Sequence, residues 1–390
     1  MTIARSLRQR QLKRGRAEVS YSPGRYQSGD ELRYQSRRLD PPLIAGVVLL
    51  CSISLLVLYS AGSENTDLLI RQSVRIAVAF FAMFIIAYIP PALLERWSPW
   101  VFTIGLVLLG IVLVIGYIGK GAQRWINLGV IQFQPAELMK LGLPMMVAWI
   151  LTRHPLPPRL RDFLFSVVAL VVPAVLVVMQ PDLGTALLLA ASGIIVIFLA
   201  GLSWRYLLGA GLALAAIAPL LWNLILHDYQ RTRIITLFDP WSDPLGAGYH
   251  TIQSMIAIGS GGVAGKGWLN GSQSQLEFIP ERSTDFIFAV FAEEFGLYGA
   301  ILLILLYLFV VARALVIAFY ARGTYSRLLA GSLALTFFFY VFVNIGMVVG
   351  ILPVVGVPLP LISYGGTSMV TLMAGFGILM GINGERQLMT

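Results

Sequence analysis

The chain has 390 residues, of which 57% are hydrophobic and only 12% are charged. Its mean hydropathy of +0.80 is far above that of soluble globular proteins, which excludes a soluble domain. The formal net charge of +9 does not indicate nucleic-acid binding, because ten of the 28 basic residues lie in the first 38 positions. A single cysteine, Cys51, excludes an internal disulfide and a metal-thiolate cluster, and three scattered histidines argue against a His-rich metal site.

Residues 1–40 form a basic tail rich in Arg, Gln, Ser and Tyr. This composition predicts a disordered cytoplasmic segment that could touch anionic headgroups. The tail is too long for a signal peptide and lacks a clear small-residue cleavage site, so the first apolar run is expected to be a retained anchor.

Apolar runs of about 20 residues follow from residue 41 to the end, each long enough to cross the roughly 30 Å core of a bilayer. The pattern predicts an all-α polytopic membrane protein, with residues 41–390 as a single ten-span domain. The predicted spans are 42–61, 74–91, 99–118, 135–152, 164–180, 182–202, 205–226, 285–312, 327–350 and 364–383.

The distribution of basic residues predicts the orientation of these spans. With the tail inside, 19 of the basic residues lie on the inner side and nine lie outside or embedded, as the positive-inside rule expects. Both termini are then cytoplasmic, and the longest connection, 227–284, is extracytoplasmic. Charge and glycine concentrate in the outer connections, so an active site is expected on that face.

The long connection 227–284 mixes turn signals with one apolar stretch, 252–258, which is too short to span a bilayer. We expect packed structure there, with a re-entrant or interfacial helix at the membrane surface. Residues 261–267 read GGVAGKG and resemble a phosphate-binding loop. The match fails because Ser260 occupies the first glycine position and Gly267 replaces the Ser or Thr.

Three acids occur within ten positions at the start of the eighth span, where a charge in hydrocarbon is costly and usually functional. Asp285 lies at the water edge and is the better candidate for proton transfer, although it could simply cap the helix. Glu293 and Glu294 lie about 12 Å deeper by helical rise. They are expected to satisfy internal hydrogen bonds.

Further charged residues are predicted near the outer face. Glu137 and Lys140 share one face of the fourth span, either as a structural ion pair or as part of a polar cavity. Asp182 could cap the sixth span or contribute to a substrate or metal pocket. An outward basic group would suit an anionic substrate such as a lipid pyrophosphate, or be no more than surface charges. Its members are Arg71, Lys120, Arg124, Arg231, Arg233, Lys266 and Arg282.

Several sequence segments together resemble the SEDS family (shape, elongation, division and sporulation) over roughly residues 40–385. They read QPDLGT, FDPWSDPLGAGYHTIQSMIAIGSGG, GKGW, TDFIFAVFAEEFG and GILPVVGVPLPLISYGGTS. The ILPVVGVPLPL wording and the PER before Ser283 are closer to the elongation branch than to the division branch. Ser283 departs from the family, whose members commonly carry histidine at that position.

The resemblance implies a peptidoglycan glycosyltransferase of the bacterial cytoplasmic membrane that polymerises lipid II, with undecaprenyl pyrophosphate as leaving group and inversion at the donor carbon. It implies a class B penicillin-binding protein and other elongation-complex proteins as partners. Asp285 matches the essential aspartate of the family. By motif match, the resemblance implies a substrate cavity that involves Arg71, Arg124, Glu137, Lys140 and Asp182. The outward basic residues Lys120, Arg231, Arg233 and Lys266 are expected to bind substrate on the ground of their charge and predicted side alone. No metal ligands are predicted, although Mg²⁺ or Mn²⁺ could help to stabilise the pyrophosphate.

Two other functions fit parts of the sequence. A lipid II flippase or proton-coupled carrier would use buried acids and proline-broken segments. No inverted repeat relates the two halves, however, and the polar residues gather at one face. A scaffold that only recruits a penicillin-binding protein is the third interpretation.

Overall fold

The computed structural model describes residues 39–119, 122–127, 132–206, 228–246 and 248–387, with short pieces between 208 and 217. The predicted basic tail, except for its last two residues, lies outside the described residues, as does Lys120.

The first half of the described chain contains six long helices and a small sheet. The helices are α1 Pro41–Ala61, α2 Thr66–Ala87, α3 Pro91–Ile115, α4 Pro135–Thr152, α5 Leu160–Val178 and α6 Leu183–Leu199. Between α3 and α4 lie strands β1 Tyr117–Gly119, β2 Ala122–Asn127 and β3 Gln132–Phe133, paired antiparallel in that order. Local sequence sets several helix starts: Asp40, Asn65 and Asp182 cap α1, α2 and α6 through their side chains.

The second half begins with the connection that the sequence predicted to be structured. It contains α7 Asp228–Phe238, a 3₁₀ turn at Pro240–Ser242, α8 Tyr249–Gly261 and α9 Ser272–Gln275. Helix α8 contains the apolar stretch 252–258 and extends beyond it by about a turn at each end. Three long helices follow: α10 Ile287–Tyr320, α11 Thr324–Val348 and α12 Thr367–Gln387.

Seven helices in the described part of the chain are long and apolar enough to cross a membrane: α1, α2, α3, α5, α10, α11 and most of α12. Helix α6 is apolar but has 17 residues, one fewer than the 18 that define these seven helices. Helix α4 has 18 residues but is not among the seven, and it carries the charged Glu137–Lys140 pair. The predicted span at 205–226 falls largely outside the described residues. The polytopic helical fold is therefore confirmed, while the count of ten spans stays a prediction.

Helix α10 changes direction at Gly296, whose φ of 63° and ψ of −162° are accessible only to glycine among the ordinary residues. The glycine-rich segment 261–267 passes beside this point. The amide of Lys266 donates to the carbonyl of Glu293, and the amide of Leu297 donates to the carbonyl of Gly262. The segment that resembles a phosphate loop thus supplies backbone hydrogen bonds to a broken helix.

Candidate active site

A polar cavity of about 530 Å³ lies between helices α7 and α8 of the long connection, the residues just before α10, and the segment 352–356. This volume is within the range of small-molecule sites. Asp285 lines the cavity together with Glu281, Arg233 and His250, and Gly356 closes one side of it. The cavity therefore combines two carboxyl groups, a guanidinium and an imidazole on one surface.

The backbone around Asp285 is fixed by residues that are distant in sequence. The side-chain amide of Asn344 on α11 donates to the carbonyl of Asp285 at 2.8 Å and to that of Val357 at 2.7 Å. The hydroxyl of Ser363 donates to the carbonyl of Thr284 at 2.6 Å. Because Asp285 precedes α10 and is not inside it, these contacts fix the backbone that carries its carboxylate.

His250 on α8 is a cavity residue whose ring stacks on that of Phe286 at 5.6 Å between centroids. Burial lowers the pKa of His250 below its ordinary value; Glu281 opposes this shift and Arg233 adds to it. The imidazole is therefore neutral at pH 7 and could exchange hydrogen bonds with a bound hydroxyl group.

Asp182 is buried, and three groups bind its carboxylate. It accepts from the amide of Thr185 at 3.2 Å and from the side chain of Gln134 at 3.1 Å, and Arg124 pairs with it at 3.2 Å. Asp182 thus caps helix α6, and the same carboxylate also binds the guanidinium of Arg124, a residue of strand β2.

Glu137 and Lys140 form the ion pair that their spacing predicted, with 2.7 Å between Oε1 and Nζ, and both side chains are largely buried. The Lys140 ammonium also lies 4.9 Å from the centre of the Tyr340 ring. A narrow cavity of about 20 Å³ brings Lys140 together with Ser363, the residue that fixes Thr284. Lys140 therefore lies beside the segment that contains Ser363.

Close backbone approaches connect the Asp182 cluster with the Asp285 cavity. At Gly184, the second residue of α6, a Cβ atom would lie 2.5 Å from the carbonyl of Val355, so only glycine fits. At Gly356 a Cβ atom would lie 3.5 Å from the Asp285 carboxylate. The start of α6, the segment 351–366 and Asp285 thus lie at one end of the helices, called here the cavity end.

Glu293 makes the internal hydrogen bonds that the sequence predicted for it. Its carboxylate pairs with Lys266 at 2.7 Å and accepts from the amides of Gln273 and Ser274. Glu294 accepts from the Ser60 hydroxyl. Lys266, which the sequence assigned to substrate, is thereby held by Glu293 and does not line the Asp285 cavity.

The remaining basic residues are placed differently. Arg233 lines the cavity, whereas Arg231 is on the same helix, α7, but is not among the lining residues. Arg71 is exposed on α2. Arg282 donates to Ser63 at 3.0 Å and Glu277 at 2.9 Å. The structure thus brings one predicted basic residue, Arg233, into the Asp285 cavity.

The sequence did not single out His250, Glu281 or Asn344 as site residues. Two of them had a readable signal, because His250 lies in the polar connection and Glu281 lies four residues before Asp285. The third, Asn344, lies within the apolar helix α11. A polar amide is unusual in such a segment, and this was the feature by which the sequence could have indicated it.

No group of three or more His, Cys, Asp or Glu side chains in the described part of the chain is arranged to hold a metal ion. Mg²⁺ usually binds through one or two carboxylates together with water and substrate phosphates. Asp285 and Glu281 are two carboxylates that line one cavity, which is the type of donor such a site takes.

The fold and cavity define a polytopic helical membrane protein with a polar site at one end of its helices. The family model described as a cell cycle protein, FtsW/RodA/SpoVE, matches residues 41–388, and the chain belongs to this family.

Two relatives with assigned names are similar over most of their length. The chain is 51% identical to the peptidoglycan glycosyltransferase MrdB of Escherichia coli K12 over 352 residues, which is 90% of this chain and 95% of MrdB. It is 38% identical to the probable peptidoglycan glycosyltransferase FtsW of Escherichia coli O6:H1 over 324 residues, 82% of this chain and 77% of FtsW.

Solved structures agree with the family assignment. A chain from a peptidoglycan synthase complex, studied for the coordination of polymerization and crosslinking, superposes with a TM-score of 0.79 at 33% identity; 90% of this chain and 98% of that one are covered. The rod shape determining protein RodA of Thermus thermophilus superposes with a TM-score of 0.69 at 30% identity. The superposition covers 89% of this chain and 97% of the RodA chain.

Proposed function

We propose that this chain is a peptidoglycan glycosyltransferase that polymerises lipid II into β-1,4 glycan strands during cell elongation. The observation that carries the proposal is the carboxylate of Asp285, which faces a polar cavity while buried hydrogen bonds fix its backbone. The names of MrdB and FtsW, relatives over most of the chain, support the same activity.

In this reaction Asp285 accepts the proton from the 4-hydroxyl of the acceptor sugar as that oxygen attacks the anomeric carbon of the donor. The carbon–oxygen bond to undecaprenyl pyrophosphate breaks, the leaving group takes the electron pair, and the configuration inverts. A positioned base typically contributes about 10²–10⁴-fold. Since the pyrophosphate leaves as an anion, a single carboxylate is sufficient for proton transfer.

Arg233 is the cavity residue best placed to stabilise the charge of the pyrophosphate. A divalent cation would supply the same kind of stabilisation, with Asp285 and Glu281 as candidate ligands. The Arg124–Asp182 and Glu137–Lys140 pairs are proposed to shape the cavity end. Substrate roles for Arg71, Lys120, Arg231 and Lys266 stay predictions.

The orientation and the partners belong to the same proposal. The two termini would be cytoplasmic and the Asp285 cavity extracytoplasmic, because lipid II is polymerised outside the cytoplasmic membrane. The partner would be a class B penicillin-binding protein, together with other elongation-complex proteins. The similarity to a chain of a peptidoglycan synthase complex supports a crosslinking partner.

The test is polymerisation of lipid II by the purified full chain. Asp285→Asn should lower the rate by about 10²-fold or more, because it removes the proton acceptor and keeps the shape. Asp239→Asn is the matched control, since the Asp239 carboxylate accepts from the amide of Trp241 at 3.1 Å and Asp239 does not line the cavity. Full activity of Asp285→Asn would disprove the assignment.

The same preparation separates the alternatives. Buried Glu137 and Lys140 inside a helix would also suit a lipid II flippase. Glycan product indicates the enzyme, whereas translocation of lipid II in vesicles without product indicates the flippase. Neither product nor translocation indicates a scaffold.

A further inference from the structure

A groove of about 590 Å³ lies between helices α3, α4 and α5, away from the Asp285 cavity. Its apolar walls are formed by Phe102 and Leu106 of α3, Trp149 and Ile150 of α4, and Ala169 and Val172 of α5. None of the proposed steps of glycan synthesis uses this groove.

The groove lies at the end of the helices opposite to the cavity. Helix α4 begins beside Gln134, which binds Asp182 at the cavity end. The groove lies at the other end of α4, around Trp149 and Arg153. A helix of 18 residues is about 27 Å long by its rise, so Gln134 and the arginine end of the groove are separated by nearly the thickness of a bilayer core.

Three guanidinium groups surround the polar end of the groove: Arg153, Arg159 and Arg161. Arg153 lies over the Trp149 ring at 3.6 Å, and Arg161 lies over the Phe165 ring at 5.4 Å. Within the described residues, no carboxylate forms a salt bridge with any of the three. The positive charge there is therefore left for an external anion.

The acid in the groove does not cancel this charge. Asp162 is buried and pairs with Nδ1 of His154 at 3.0 Å. The carboxylate of Asp162 is thus engaged by His154 and by none of the three arginines. The local excess of basic groups is what a phosphate diester would neutralise.

The apolar part of the groove is open along helix α5. Val168 is 58% exposed, Phe165 is 50% exposed and Val172 is 40% exposed. In a chain that crosses a membrane, such a face meets acyl chains. A ligand that fills the whole groove must therefore carry an anionic head and a hydrocarbon tail in continuity.

We propose that this groove binds an anionic diacyl phospholipid, with its phosphate between Arg153, Arg159 and Arg161 and one acyl chain against α3 and α5. Basic pockets between membrane helices bind anionic lipid headgroups in this way. The aromatic rings under two of the arginines hold the guanidinium groups at the rim and reduce the entropy lost on binding.

The test is native mass spectrometry of the detergent-solubilised full chain titrated with phosphatidylglycerol. The triple variant Arg153→Gln, Arg159→Gln, Arg161→Gln should retain one lipid fewer, with binding weaker on the order of a hundredfold. The matched control replaces three exposed arginines away from the groove, at positions 205, 322 and 327, by Gln. This control should bind as the original chain does.

A second variant tests the acyl-chain part. Val168→Trp keeps all three arginines and fills the groove from an exposed position, so it should also lose the retained lipid. Equal retention of phosphatidylcholine, competition by inorganic phosphate alone, preference for a polyprenyl phosphate, or unchanged binding in Val168→Trp would each overturn the proposal. Melting curves of both variants establish that they are folded.

Discussion

Asn344 is the residue through which helix α11 holds Asp285 in place. Its amide nitrogen donates to the carbonyls of Asp285 and Val357, and the side chain is fully buried. A base must be positioned closely for proton transfer, and a displacement of about 1 Å can cost 10²-fold in rate. The structure therefore makes Asn344 a positioning residue for the proposed reaction.

Asn344→Ala should lower the rate of lipid II polymerisation by about tenfold or more and destabilise the fold by about 1–3 kcal/mol, because two buried carbonyls lose their donor. The control is Asn383→Ala. Asn383 is also buried, but its side-chain amide donates to the carboxylate of Asp40 at 3.1 Å, at the end of the helices opposite to the cavity end. The control should lower Tm without changing the rate per folded molecule; equal rates in the two variants would contradict the positioning role.

His250 makes the cavity sensitive to acid. Burial lowers its pKa, so the folded protein resists protonation while the unfolded chain titrates near the ordinary value of about 6.5. Above that pH both states are neutral and His250 contributes no pH dependence. Below it the unfolded state binds more protons, so the stability falls as the pH falls.

His250→Phe keeps an aromatic ring beside Phe286 and removes the titrating group. We expect Tm of the original chain to fall more steeply than that of the variant between about pH 6.5 and pH 5. Thermal melting at several pH values measures the difference. Parallel curves for the two proteins would show that His250 is not buried in the neutral form.

At the scale of elements, the broken helix α10 depends on Gly296. A Cβ atom there would collide with the backbone of residues 263–265, which pass beside the kink. The break allows the first part of α10 to carry Glu293 toward Lys266 and the second part to continue along the helix bundle. Discontinuous membrane helices frequently lie at functional sites.

Gly296→Ala should destabilise the protein more than Gly323→Ala. Both glycines have positive φ, 63° and 76°, which costs a non-glycine residue about 1–3 kcal/mol. Only Gly296 adds a steric clash, since nothing lies within 4 Å of a Cβ at Gly323. Denaturation of the two variants measures the difference. An equal loss of stability in the two variants would mean that the segment 261–267 moves to accommodate the added Cβ atom without an energetic penalty.

The sequence predicted elements better than contacts. Apolar length located most helices, because burial in a bilayer requires about 20 apolar residues whatever the neighbours are. The second span was placed at 74, whereas α2 begins at Thr66, because Asp67 and Arg71 lower the hydropathy of a segment that Asn65 caps as a helix. Local chemistry can extend a helix beyond its apolar run.

The candidate site was predictable where its signal was local. Asp285 and the Glu137–Lys140 pair stand out within a few residues of sequence. The position of His250 in the polar connection and of Asn344 in an apolar helix marked them only as unusual, because their roles depend on contacts with Phe286 and Asp285 that arise only when separate segments pack. Lys266 looked similar to Arg233 in sequence, and only the structure separates the partner of Glu293 from the cavity residue.

At the scale of the whole molecule, two polar regions lie at opposite ends of the helices: the Asp285 cavity and the arginine-rimmed groove. The proposed function requires the cavity end to be extracytoplasmic. The positive-inside rule gives the same orientation, because Arg153, Arg159 and Arg161 then face the cytoplasm.

The single cysteine allows a direct test of this orientation. Cys51 is buried, so the original chain should not react with a membrane-impermeant maleimide. Ser242→Cys adds an exposed thiol in the long connection, and Thr324→Cys adds one at the opposite end. In intact spheroplasts the first should be labelled at once and the second only after permeabilisation. The reverse pattern would place Asp285 in the cytoplasm, where it could not polymerise lipid II that has already been translocated.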